Sequence, residues 1–249
     1  MTRIIRAFIN QPPHRVGEEV ALPSDEANHL CRVLRIVNGN RIELLDGRGG
    51  RFQGECIEVA RERVIVRITN LQTNSPPVPL IRMGVALGKS NKWEKMIRPL
   101  TELGVSRMTP LLTDRTEGAF SSQKLKDKSD RWTKLAKEAC KQSGNPWLPS
   151  FDKPVVFDEI ISSPEECEVR MLASLSDLES ESRHLSITHP SVTNQLSIFI
   201  GPEGGWSKEE ERKAKKAGFS FFTMGPHVLR IETAAVCALA VARKGLLCY

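Results

Sequence analysis

The chain has 249 residues, 40% of them hydrophobic and 27% charged, a globular composition that excludes a disordered or low-complexity polypeptide. That length supports one large domain or two ordinary ones, each with its own core. The longest apolar run near the end, Ala234 to Ala242, falls well short of the roughly 20 residues a bilayer requires. Met1 to Asn10 carries Arg3 and Arg6 without a small-residue cleavage signature, so no membrane association and a cytoplasmic location are expected.

Six cysteines form no CxxC pair, and the five scattered histidines lack partners at ligand spacing. Neither a disulfide framework nor a metal site is expected. The net charge of +6 is uneven: residues 1–72 carry +2 with eleven Arg and no Lys, 73–144 carry +7, 145–206 carry −7 and 207–249 carry +4. Such asymmetry favours a basic face aimed at a polyanion over a uniformly basic protein, with a solvated surface that happens to use Arg as the alternative that composition leaves open. Guanidinium forks match phosphates and guanine edges bidentately and stack on bases, so RNA is the expected partner.

In chain order, Ser24-Asp25-Glu26 followed by Ala27, Leu30, Val33 and Leu34 reads as a helix start with helical spacing. Short apolar runs between Asp46 and Ile68, broken by Asp46-Gly47 and Gly49-Gly50, predict β-hairpins. Residues 1–73 are therefore expected to form a small, mainly β domain. The proline-rich stretch 74–79 reads as an extended linker. In 80–249, strand-like runs at Leu80–Leu87, Met108–Leu112, Arg170–Leu175, Leu196–Ile200 and Phe219–Met224 alternate with helical patterns near Lys92–Leu103, Asp130–Ser143 and Thr233–Leu247. Ser207-Lys208-Glu209-Glu210 predicts a capping box opening a further helix that ends at Gly218. This alternation predicts an α/β domain with a mostly parallel sheet. The last helix is apolar on almost every face, which places it in a core or a subunit interface.

Two devices that would hold a nucleotide are missing. Gly84 to Ser90 has three residues between its glycines where a phosphate loop needs four, and no GxGxxG follows a strand. Two other glycine-containing loops, Ile200-Gly201-Pro202-Glu203-Gly204-Gly205 and the stretch from Met224 to Ala234, follow predicted strands at the edge where open α/β sheets place ligands. One such loop is as easily an ordinary turn; two, each with a charge, point to a site.

IGPEGGWS at 200–207 and GPHVLRIETAA at 225–235 resemble the knot motifs of the SPOUT methyltransferases, specifically the family that methylates N3 of a uridine in 16S ribosomal RNA. HLCRVLR at 29–35, DGRGG at 46–50, TELGV at 101–105, TDRT at 113–116, RW at 131–132 and EACKQSG at 138–144 extend the resemblance over essentially the whole chain. It implies an N-terminal PUA-like RNA-binding β-barrel, a C-terminal α/β domain with a deep trefoil knot, S-adenosylmethionine as methyl donor, the small ribosomal subunit as partner and a homodimer. Three departures stand out: Pro99 where a lysine is common, with an expected kink, Asn145 where a basic residue often follows, and Trp206 for the usual Phe.

The resemblance places the donor against Leu172, Ala173, Ile200, Gly201, Pro202, Gly204, Gly205, Met224, Gly225, Val228, Leu229, Thr233 and Ala234. Arg230 is the candidate for stabilising negative charge as the uridine N3 loses its proton. Glu203 and Glu232 are candidate proton acceptors, with loop bracing and an ion pair to Arg230 across the dimer as their alternative roles. Arg3, Arg6, Arg32, Arg35, Lys89 and Arg115 are candidate RNA contacts. The alternative function is a non-catalytic RNA-binding protein that retains the knot fold.

Overall fold

The computed structural model describes residues 4–88, 92–116, 122–162, 168–174, 183–184, 194–225 and 227–247. Arg3 and Lys89 lie outside the described residues. Contacts divide the chain into two compact units: the chain up to Pro76 together with Lys137–Leu148, and Pro77–Ala136 together with the chain from Pro149.

The first unit contains β1 (Arg6–Phe8), β2 (Glu19–Ala21), α1 (Ser24–His29), β3 (Arg41–Leu45), β4 (Gly50–Ala60) and β5 (Arg63–Thr73). Its sheet runs β1-β3-β4-β5-β2, antiparallel except for β1 beside β3. Alternate residues of the long hairpin, Phe52 and Cys56 on β4 and Val64, Val66 and Ile68 on β5, enter a core with Ala27, Leu30 and Leu44. Asp46 Oδ1 closes the turn before β4 by accepting the Arg48 and Gly50 amides at 2.7 and 2.8 Å. Helix α1 starts at the expected place without a side-chain cap: Pro23 precedes it, and Ser24 is already its first residue. It passes into a π-helical turn, Leu30–Leu34, that stops at Arg35 in the left-handed conformation, φ 50°.

Arg6, expected to contact RNA, is engaged within the first unit. Its Nε lies 2.6 Å from Glu43 Oε2, Nη1 donates to the Lys141 carbonyl at 2.9 Å, and its side chain is 13% exposed. Arg51 reaches the other Glu43 oxygen at 2.8 Å. Lys141 in turn pairs with buried Glu26 at 2.9 Å. These ion pairs, with Phe8, Leu45 and Cys140 packed together, hold Lys137–Leu148 within the first unit.

The second unit contains β6 (Leu80–Ala86), α2 (Lys92–Glu102), β7 (Arg107–Leu112), α3 (Ser122–Ser143, whose end belongs to the first unit), β8 (Ser150–Phe151), β9 (Val155–Val156), α4 (Phe157–Ser162), β10 (Glu168–Ala173), β11 (Arg183–His184), β12 (Gln195–Ile200), α5 (Lys208–Lys216), β13 (Ser220–Thr223) and α6 (Ile231–Leu247). The sheet order is β11-β13-β10-β12-β6-β7-β8, with β9 also on β7, and every pair is parallel. Strands β12 and β7 are buried almost throughout, as parallel strands covered on both faces must be.

Helix α2 continues through Pro99, burying Trp93, Met96, Ile97 and Leu100, and Trp93 packs on Trp132 of α3 with ring centres 4.3 Å apart. Helix α3 begins about two turns before the expected start, because its first residues are polar helix formers without an apolar stripe. Helix α4, missed in the sequence, is built on Phe157, Ile160 and Ile161 at helical spacing. Helix α6 turns Ile231, Ala234, Ala235, Ala238, Leu239 and Ala242 against α2, β6 and β12, and leaves Val241 42% exposed.

Candidate active site

Register brings three strand ends together: Ala173 of β10 stands beside Ile200 of β12 on one side and Phe222 of β13 on the other. The segments that follow these strands enclose a cavity of about 370 Å³, within the range of small-molecule sites. Ala173, Ile200, Gly201, Pro202, Gly205, Met224, Val228, Leu229 and Ala234 line it. Four other donor candidates do not: Leu172 is fully buried behind the wall, Gly204 contacts Arg115, and Gly225 and Thr233 lie off the cavity surface.

Backbone geometry explains the glycines. A Cβ on Gly201 would come 2.9 Å from the Trp206 indole, and Gly205 has φ +71°. Trp206 forms part of the wall; its Nε1 donates to the Ala173 carbonyl at 2.9 Å and its ring packs on Phe157 at 4.6 Å. The capping box at α5 is present: Glu210 N donates to Ser207 Oγ at 3.1 Å, and Ser207 N to Glu210 Oε2 at 2.8 Å. Asp114 joins it through its own amide to Glu210 Oε1 at 2.9 Å and by accepting the Ser207 hydroxyl at 2.6 Å. The loop after β12 is thereby tied to the end of β7.

Glu203 lines the cavity and receives Lys92 Nζ at 2.6 Å. That hydrogen bond, seconded by the backbone amide of Glu203 itself, holds its carboxyl below the ordinary value. A carboxylate stabilised in its charged form is a weak proton acceptor, so the geometry favours the bracing role. Arg230 is exposed at the start of α6, where its carbonyl accepts the Ala234 amide at 2.8 Å; among the described residues its guanidinium has no partner. Glu232 does not pair with it within the chain, and Glu232 Oε2 is buried without a hydrogen bond among the described residues.

Arg115, expected to contact RNA, lines the cavity and donates Nη1 to the Gly204 carbonyl. Arg32 and Arg35 are exposed on the first unit, Arg32 with its guanidinium 3.6 Å from Glu62. Sequence reasoning missed Lys92, Ser174, Lys208 and Glu211 at this site, and treated Trp206 only as a departure from a motif. None carries a local signal, since their partners are brought in by the sheet.

A family model described as an RNA methyltransferase domain matches residues 74–243, and one described as an RNA methyltransferase PUA domain matches 22–69. The ribosomal RNA small subunit methyltransferase E of Synechocystis is 32% identical over 92% of this chain and 74% of its own length. That of Bacillus subtilis is 27% identical over 94% of each chain. Among solved structures, a Legionella pneumophila protein in complex with the bound cofactor SAM is 29% identical with a TM-score of 0.86 over 98% of both chains. The Neisseria gonorrhoeae ribosomal RNA small subunit methyltransferase E, bound to S-adenosyl methionine, is 26% identical with a TM-score of 0.85 over 97% of both. An RNA methyltransferase domain over about two thirds of the sequence, a PUA domain ahead of it and a relative above 30% identity matched over 92% of the chain place this chain in the ribosomal RNA small subunit methyltransferase E family.

Proposed function

We propose that the chain transfers a methyl group from S-adenosylmethionine to N3 of a uridine in the 16S RNA of the small ribosomal subunit, in the cytoplasm. The observation that carries this reading is the cavity at the carboxyl ends of β10, β12 and β13, where Gly201 and Gly205 line the wall beside apolar Ile200, Phe222 and Leu229. Ile200, Phe222 and Leu229 offer surface for a flat base, while main-chain amides and carbonyls of the loops offer hydrogen bonds to its edge. The residues therefore fit an adenosyl donor. When bound, S-adenosylmethionine supplies a methyl group already activated on a positively charged sulfur.

The chain's own residues then have to align the uridine and stabilise its deprotonated form. Arg230, exposed between the cavity-lining Leu229 and Ile231 at the start of α6, would offer a permanent positive charge to N3 and its flanking carbonyls as they become negative. Glu203, braced by Lys92, holds the loop after β12. Arg32 and Arg35 supply RNA contacts from a PUA-like domain over 1–73, joined through 74–79 to the catalytic domain over 80–249 with its trefoil knot. The uncovered side of α6 around Val241 supports a homodimer, in which the buried Glu232 Oε2 gains a partner.

Calorimetry with S-adenosylmethionine and with ATP tests the reading. Binding of the former alone is expected, since the Gly84–Ser90 stretch lacks phosphate-loop spacing. Binding of ATP without S-adenosylmethionine would contradict it, and binding of neither would favour the non-catalytic RNA-binding alternative.

A further inference from the structure

Glu211 is the fourth residue of α5, and the helix turns it inward until only 5% of its surface is exposed. Its Oε1 accepts the Ser174 hydroxyl from the end of β10, and both residues line the cavity. Among the described residues no cation forms an ion pair with it. Arg115, which shares the cavity wall, holds the Gly204 carbonyl instead. Lys208, one turn earlier on α5, also lines the cavity but is exposed and makes no ion pair with Glu211.

A carboxylate taken out of water is costly unless cations or several donors compensate it, and one hydroxyl is a single donor. The wall therefore carries a buried negative group without a counter-charge, facing the space where a ligand would sit. A cationic ligand gains there and a neutral one does not.

We propose that Glu211, oriented by Ser174, recognises the positive charge of the methyl donor and is a specificity-determining residue for it. This rests on the reading of the cavity as the S-adenosylmethionine site. The donor offers two cationic groups, its α-ammonium and its sulfonium. S-adenosylhomocysteine keeps the first and lacks the second, and 5′-methylthioadenosine has neither.

Calorimetry of the full chain and of Glu211→Gln with these three compounds separates the possibilities. Glu211→Gln is expected to weaken S-adenosylmethionine about tenfold or more, as loss of a charge-assisted contact does, while 5′-methylthioadenosine changes by less than about twofold. An equal loss for S-adenosylhomocysteine assigns the contact to the ammonium, and no loss assigns it to the sulfonium. Ser174→Ala keeps the charge, so its loss for S-adenosylmethionine should be smaller than that of Glu211→Gln. The ligand-free Glu211→Gln protein should melt no earlier than the parent, because an amide is less costly to bury than an uncompensated carboxylate. Unchanged S-adenosylmethionine affinity in Glu211→Gln, or equal weakening of all three compounds with early melting, would overturn the inference and leave the site reading intact. Failure of the parent chain to bind S-adenosylmethionine would overturn both.

Discussion

Lys92 Nζ stands 2.6 Å from Glu203 Oε1 and joins the first residue of α2 to the loop after β12, 111 positions away in sequence. An ammonium at a helix start opposes the helix dipole, and the carboxylate offsets that cost. Both side chains are partly exposed, 37% and 44%, so solvent screens the pair and its contribution to stability is small. The hydrogen bond from Lys92 depresses the Glu203 carboxyl in the folded chain. The pair therefore stabilises above the unfolded carboxylate value, and that contribution disappears as pH falls through the depressed one. Lys92→Met should melt slightly earlier than the parent at neutral pH, and the difference should shrink in acid, below the ordinary carboxylate value. Thermal melts at neutral and acid pH check this; a difference undiminished in acid would contradict it.

Gly201→Ala should destabilise the chain by about 1–3 kcal/mol, the usual cost of overpacking. The new methyl would stand 2.9 Å from the Trp206 indole and push it off the Ala173 carbonyl. Denaturant unfolding gives the loss, and tryptophan fluorescence reports the displaced ring. Parental stability with an unchanged spectrum would show that the wall yields without strain.

Lys141→Ala should be among the most damaging changes in the first unit. It leaves the carboxylate of Glu26, 8% exposed, without its cation at a cost of about 3–5 kcal/mol. Replacing both partners by apolar residues should cost much less, because no buried charge then remains. Equilibrium unfolding of the single and double variants decides between these outcomes.

The glycine loops were legible in the sequence because glycine between a strand and a helix marks a close approach whatever the fold. The capping box at Ser207 was legible for a similar reason: both of its partners lie within one turn. Arg6, by contrast, looked like its exposed neighbours in an arginine-rich segment; only the register of β1 on β3 brings Glu43 to it. Lys92 with Glu203 and Ser174 with Glu211 were hidden in the same way, since parallel strands bring together side chains far apart in the chain. The early turns of α3 gave no apolar period to read, although their residues favour helix.

Arg32 and Arg6 should behave oppositely although both belong to the arginine-rich first segment. Arg32→Ala is expected to weaken binding to a 16S RNA fragment and to lower the salt slope by about 0.7–0.9, as loss of one phosphate contact would. Arg6→Ala should instead lower the melting temperature, because it strips a cation from buried Glu43. Affinities at several salt concentrations, with a melt of each variant, test the pair.

Arg230→Ala should leave stability within about 0.5 kcal/mol, since the side chain is exposed and unpartnered among the described residues. Its methyl-transfer rate should fall about 100-fold to 1,000-fold. Single-turnover transfer and sedimentation of the same sample separate a catalytic loss from dissociation. A variant that stays assembled and transfers at the parental rate would remove Arg230 from the reaction.

The most direct test of the account is nucleoside mass spectrometry of small-subunit RNA after incubation with the chain and methyl-labelled S-adenosylmethionine. Label is expected in N3-methyluridine, close to one per 16S RNA, and far less over the same short incubation with Arg230→Ala. Label in a ribose, at another base position or in no nucleoside would contradict it.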